Sequence, residues 1–196
     1  MDDHSHQGHH HGHHHGHDGH RFAGAPERLR SPERLALLEV GRVTDLILEG
    51  GAIESVLDVG VGSGVFAEEF EKRGLRVAGV DVNPEMIEVT RRYAPSATLV
   101  EAPADALPFD DGAFDLVYLG HVLHEVPDPV RALSEARRVA RVRVAVLEWP
   151  YVEEEHGPPL EHRLRDEAVE SFAHAAGFQQ IERRALTHMA LYLLSK

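Results

Sequence analysis

Cysteine is absent from this 196-residue chain. The fold therefore depends on neither disulfides nor thiolate ligands. No run of 18 or more apolar residues occurs, so no membrane-spanning helix is expected. No basic-then-apolar leader opens the chain. These three absences fit a cytoplasmic protein. Basic clusters are missing as well, and the formal charge is −13 with histidine neutral. An acidic chain without a basic patch is poorly suited to gripping phosphate backbones. Neither nucleic acid nor a membrane is therefore expected as a partner. The opening also lacks apolar residues, with none between Met1 and Phe22.

Histidine fills that opening. Ten of the 16 histidines lie in the first twenty residues, mixed with Gly and Asp. Such a segment cannot pack a core. Residues 1–26 are expected as a disordered tail and 27–196 as one domain, for which 42% apolar residues supply a core. The densest set is His9, His10, His11, His13, His14 and His15. Imidazole suits Ni²⁺, Zn²⁺, Co²⁺ and Cu²⁺. Three readings stand: a natural metal-binding tail (Ni²⁺ or Zn²⁺), which we favour; a cloning tag, which the interruptions argue against; and a solvated, pH-responsive tail.

From Ser31 the pattern alternates between helix and strand. Ser31-Pro32, Asn83-Pro84 and Asp128-Pro129 each read as a helix cap followed by proline at the first turn. Helix-like stretches follow each pair, with others at 42–48, 64–73 and 166–176. Strands are expected at 55–59, 76–80, 98–102, 114–120 and 142–149, and two more at the end of the chain. Gly74 and Gly177 stop helices. Alternation of this kind implies a parallel sheet with helices on both faces.

The most informative stretch is "SVLDVGVGSGVFAEEF" (55–70). A buried strand ends at Asp58 and Val59, and Gly60, Gly62 and Gly64 follow at alternate positions. Glycine there permits positive φ and close approach of the backbone to a ligand. The dinucleotide fingerprint needs a glycine at the sixth position, which here is Val65. An acid beside a phosphate cradle would also repel pyrophosphate, and Asp58 suits an ammonium instead. Asp81 ends the second strand, where a carboxylate accepts from ribose hydroxyls. An amine-binding acid, a glycine turn and a ribose-binding acid together describe a nucleoside carrying an amino-acid tail.

"LDVGVGSG", "GVDVNPEMI", "ADALPFDDGAFDLVYLGHVLHEVPDP" and "AGF" closely resemble the class I S-adenosylmethionine-dependent methyltransferases. Their nearest likeness is the small-molecule group that includes the ubiquinone/menaquinone C-methyltransferases. The resemblance implies a Rossmann-like seven-stranded sheet, order 3-2-1-4-5-7-6, with only strand 7 antiparallel. It implies that Asp58, Gly60, Gly62 and Gly64 hold the methionine end of S-adenosyl-L-methionine and that Asp81 holds the ribose. Val82, Ala104, Asp105 and Ala106 would border the adenine, and Leu119 would close the site. Two departures stand out. Pro103 replaces an acid that is frequent in the family, and the Pro-Gly-Gly turn before the fifth strand is missing.

Methyl transfer needs alignment first, and a base only where the acceptor must lose a proton. His121 and Glu148 are the candidates for that chemistry. His121 and His124 are expected on one face of a short helix. Trp149, Tyr151 and His162 are further candidates on the acceptor side. The absence of an Asn-Pro-Pro-Tyr motif argues for a small-molecule acceptor. Two other functions remain open: a non-catalytic cofactor-binding protein with a metal-binding tail, and a nicotinamide-dependent oxidoreductase, which the glycine spacing disfavours.

Overall fold

The computed structural model describes residues 26–196, so the expected tail disorder and the tail histidines lie outside the described residues. After a short 3-10 turn, Pro26–Arg30, the elements run α1 (Pro32–Leu38), α2 (Val40–Leu48), β1 (Ser55–Val59), α3 (Val65–Lys72), β2 (Arg76–Asp81), α4 (Pro84–Tyr93) and β3 (Thr98–Glu101). They continue with β4 (Phe114–Gly120), α5 (Pro129–Val139), β5 (Ala140–Glu148), α6 (Asp166–Ala175), β6 (Gln180–Ala185) and β7 (Ala190–Ser195). Among the described residues, no helix is long and apolar enough to cross a membrane.

The seven strands form one sheet in the order β3-β2-β1-β4-β5-β7-β6. Pairings from β3 through β5 are parallel, and β7 runs antiparallel to both β5 and β6. The order and the single reversed strand are those expected. β1 and β4 are buried almost throughout, because helices cover both faces of the sheet. Phe66 and Phe70 of α3, with Val43 and Ile47 of α2, pack on one face. Leu133, Ala136 and Val139 of α5, with Val169 and Ala173 of α6, pack on the other.

The caps form as the residue types dictate. Ser31 accepts from the Arg34 amide, Asn83 from Glu85 and Asp128 from Arg131, each followed by proline in the first turn. The missing Pro-Gly-Gly turn has a simple consequence: α5 ends at Val139 and β5 begins at Ala140 with no loop between them. β5 thus starts two residues earlier than the sequence pattern suggests. Its pairing with β4 absorbs the tight junction through a register shift between Phe114 and Leu116.

Candidate functional site

β1 pairs with β2 on one side and with β4 on the other, so the chain reverses its direction of travel across the sheet at β1. In doubly wound sheets the ligand crevice opens at the carboxyl ends of the strands at such a point. A cavity of about 730 Å³ lies there, bordered by residues that follow β1, β2, β3, β4 and β5.

The three glycines after β1 all have positive φ: +68° at Gly60, +54° at Gly62 and +74° at Gly64. Their surroundings differ. A Cβ on Gly60 would come within 2.4 Å of Val122, and one on Gly64 within 2.9 Å of Thr90. Those two glycines are therefore required by packing as well as by backbone conformation. A Cβ on Gly62 would meet nothing nearer than 3.8 Å. Gly62 borders the cavity, so of the three it answers most directly to the space beside the backbone. The turn is fixed from both sides. The amides of Gly60 and Val61 donate to the Val80 carbonyl, and Thr90 Oγ1 donates to the Gly62 carbonyl.

Asp58 is 3% exposed and lines the cavity. Burial pushes its carboxyl well above the usual range, the charge of Asp81 adds to the effect, and the Ala67 amide opposes it. Asp81 is locked in orientation. Its Oδ2 accepts from the Gly62 amide and its Oδ1 from the Asn83 amide, both at 2.9 Å. Val82, 38% exposed, presents an apolar surface to the same space beside Ala102, Pro103, Ala104 and Asp105. The Asp105 carbonyl accepts from Arg131 Nε, which ties this strip to α5. Gly64, Ala106 and Leu119 do not line the cavity, and Leu119 is fully buried while its neighbour Gly120 forms the wall.

The acceptor side differs from expectation. No helix forms at 121–126; the segment is a turn, and His121 takes a left-handed conformation with φ +61°. Histidine tolerates that region better than most side chains, and the His121 amide donates to the Leu147 carbonyl at 2.8 Å. His121 lines the cavity, with Nε2 at 3.3 Å from Met189 Sδ and its ring 5.3 Å from Trp149. Burial, with the charges of Arg34 and His124, holds its pKa well below the ordinary value.

Glu148 does not line the cavity and is 2% exposed. It works from behind the wall. Oε1 accepts from the Leu123 amide at 2.9 Å, and Oε2 pairs with His124 Nδ1 at 2.7 Å. The turn after β4 is thus anchored to the end of β5 through one carboxylate. His124 borders the cavity. Burial alone would lower its pKa, but the hydrogen bond and charge of Glu148, together with Glu125, outweigh that and raise it.

A further wall comes from the segment between β5 and α6. Gly157, with φ +85°, lies so close to Trp149 that a Cβ would sit 2.7 Å from the indole. Arg163, 5% exposed, organises this segment by donating to the carbonyls of Pro150, Val152, His156 and Pro158. The sequence pattern did not single out Leu29, Arg34, Leu38 or Tyr118, all of which border the cavity. Three of them stand before the glycine turn, where helical spacing reads as ordinary packing. Among the described residues no group of three or more His, Asp or Glu is arranged to hold a metal ion.

The protein is thus a Rossmann-like α/β domain with a glycine turn and two acids around a crevice at the switch point of its sheet. Residues 57–146 match the family described as a methyltransferase domain. An uncharacterised methyltransferase of Mycobacterium bovis is 39% identical over 90 residues, which are 46% of this chain and 37% of that protein. The demethylmenaquinone methyltransferase of Thermus thermophilus is 39% identical over 117 residues, 56% of this chain and 53% of that protein. The chain thus spans between about a third and about half of these relatives. The crystal structure of an S-adenosylmethionine-dependent methyltransferase from Aquifex aeolicus superposes with a TM-score of 0.74 at 23% identity, covering 87% of this chain and 98% of that one. By fold, and by the sequence match over residues 57–146, the chain resembles the class I S-adenosylmethionine-dependent methyltransferases.

Proposed function

We propose that this protein transfers a methyl group from S-adenosylmethionine to a small-molecule acceptor. The observation that carries the reading is the joint placement of Asp58, Gly62 and Asp81 on one cavity wall. Asp58 is a buried acid with no cationic partner among the described residues. Such a charge needs a cation, and the ammonium of a methionine tail fits it. Asp81 is fixed by two backbone amides at the end of β2, where a carboxylate accepts from ribose hydroxyls. Val82, Ala104 and Asp105 would border the adenine. When bound, the cofactor supplies an electrophilic methyl on a sulfonium.

On the acceptor side this chain positions and deprotonates. His124 is the group we assign to proton acceptance where the acceptor atom carries a proton, and Glu148 orients its ring through Nδ1. That bond occupies Nδ1, and Nε2, 3.8 Å from Glu125 Oε1, is the nitrogen we assign to the proton of the acceptor. His121, pressed against Met189 and Trp149, shapes the wall. We place the protein in the cytoplasm on its cysteine-free composition, and assign the histidine-rich tail to Ni²⁺ or Zn²⁺.

Titration calorimetry tests the cofactor assignment. S-adenosylmethionine should bind and NAD should not. Asp81→Ala should weaken binding by about 1–3 kcal/mol, roughly ten- to hundredfold. Binding of NAD instead, or unchanged affinity in a folded Asp81→Ala protein, would refute it. Turnover in an acceptor screen separates the enzyme from a protein that only binds the cofactor.

A further inference from the structure

Helix α1 sends one side chain into the cavity that cofactor binding does not account for. Arg34 borders the cavity between Leu29 and Leu38 and is half-buried. Its guanidinium lies 5.9 Å from the centre of the Trp149 ring. Arg30, Arg138, Arg141, Arg143 and Arg163 all spend their N–H groups on carboxylates or carbonyls. Arg34 makes no side-chain hydrogen bond and no ion pair among the described residues. Five donors in a fixed planar fork therefore border the cavity without a hydrogen-bonded acceptor, with the charge of Glu125 near them. A partly desolvated guanidinium left in that state is costly.

Beneath this region stands a second orphan. Tyr118 is 1% exposed, its ring clasped between Phe66 at 4.6 Å and Phe70 at 5.6 Å. Its hydroxyl has no hydrogen-bond partner among the described residues. The hydroxyl lies against Gly120, where an added Cβ would approach it to 2.6 Å. Gly120 and Tyr118 both border the cavity, and the buried hydroxyl lies just beneath its floor at Gly120. Burial raises the Tyr118 pKa, which keeps the proton on the oxygen and makes it a donor.

Arg34 stands toward the acceptor side, while Tyr118 lies between the two sides, close enough to Asp58 to feel its charge. The charge of Arg34 acts on His121, His124 and Tyr118, and Glu125 steadies it. His121, His124 and Trp149 follow β4 and β5. The glycine turn and Asp81 follow β1 and β2. One half of the cavity thus offers carboxylates to a cation and hydroxyls, and the other offers donors and a guanidinium beside the single carboxylate of Glu125.

We propose that Arg34, with Tyr118 at the floor, forms an oxyanion subsite on the acceptor side, so that the acceptor is a small molecule bearing a carboxylate. A carboxylate matches the guanidinium fork through two parallel hydrogen bonds, a geometry that lysine cannot reproduce. The word acceptor rests on the methyltransferase reading; the anion subsite itself does not.

Trp149 is the single tryptophan of the chain and lines the same wall, so its emission reports this half of the cavity. The full-length protein, saturated with S-adenosylhomocysteine, is titrated with benzoate and with uncharged benzamide. Benzoate should change the Trp149 emission saturably, and benzamide should bind at least about tenfold more weakly. Arg34→Gln should weaken benzoate by about tenfold or more, and Arg34→Lys by less, with unchanged melting. Tyr118→Phe should weaken it by a smaller factor, about threefold. Calorimetric affinity for S-adenosylhomocysteine should stay unchanged in Arg34→Gln. Equal binding of benzoate and benzamide, or no effect of either Arg34 change, overturns the proposal. So does loss of S-adenosylhomocysteine affinity in Arg34→Gln with retained affinity for 5′-methylthioadenosine, because the oxyanion would then be the cofactor's own carboxylate. Failure of the cofactor reading shows separately, as a wild-type protein that does not bind S-adenosylhomocysteine.

Discussion

Asp58 and Asp115 are buried aspartates on neighbouring strands, and their surroundings push them in opposite directions. Asp115 is desolvated, but Arg141, Ser55 and the Glu54 amide more than offset that and lower its pKa to about 2. A folded pKa below the unfolded one stabilises the protein above the unfolded value and loses that effect as pH falls through the folded value. From 3.8 to about 2 the shift corresponds to about 2 kcal/mol, lost between roughly pH 4 and pH 2. Asp115→Asn should remove that pH dependence from acid unfolding followed by circular dichroism. Asp58 has the reverse sign. Its folded pKa is raised, so the unliganded fold loses stability as pH rises from the unfolded value through the folded one. A cationic ligand group selects the ionised carboxylate. Cofactor affinity should therefore tighten as pH rises through that pKa, and the dependence should shrink in Asp58→Asn. An equal slope in both proteins would remove Asp58 from the ammonium site. That Asp58 and Asp81 stand together beside the cavity was legible in the sequence, because strand-end acids beside a glycine turn carry a specific pattern. Glu148 was misread because its position at a strand end is visible and its direction is not: it turns into the wall, toward the Leu123 amide.

Elements bounded by local chemistry were the most legible. Ser31, Asn83 and Asp128 cap their helices because a side-chain oxygen and a following proline act within one turn, with no need of distant partners. The segment 121–126 shows the opposite case. Its apolar and histidine spacing suits a helix, yet the Glu148 carboxylate and the Leu147 carbonyl, both contacts from β5, pull it into a turn. Glu148→Gln tests that anchoring. It removes the charge that raises the His124 pKa, so His124 should titrate at lower pH by NMR, and the limb of the activity profile that rises with pH should move down with it. A simple structural role for Glu148 would lower stability without moving that limb. The β5–α6 segment depends in the same way on Arg163, which satisfies four carbonyls that have no strand or helix to join. Arg163→Ala should loosen the wall around Trp149 and raise KM for the acceptor, while cofactor affinity changes little.

For the whole molecule, the sequence by itself determined the class of fold and the place of the glycine turn after β1. Those follow from hydrophobic period, glycine placement and composition, which act locally or on average. Deleting residues 1–20 should abolish Ni²⁺ binding measured by calorimetry and leave cofactor affinity intact; retained tight binding of one metal would move the site into the domain. Tertiary structure alone decided what stands opposite what. The two core layers and the parallel register bring the Pro26–Arg30 turn and α1 over the crevice, so Leu29 and Arg34 become wall residues although they precede β1 by more than twenty positions. The same packing assigned two of the three glycines to close contact with Val122 and Thr90 and left Gly62 to the cavity. It also turned Glu148 from a candidate that meets the acceptor into one that holds His124. Side-chain direction depends on contacts between strands and helices far apart in the chain, and a one-dimensional pattern carries the residue types without those contacts.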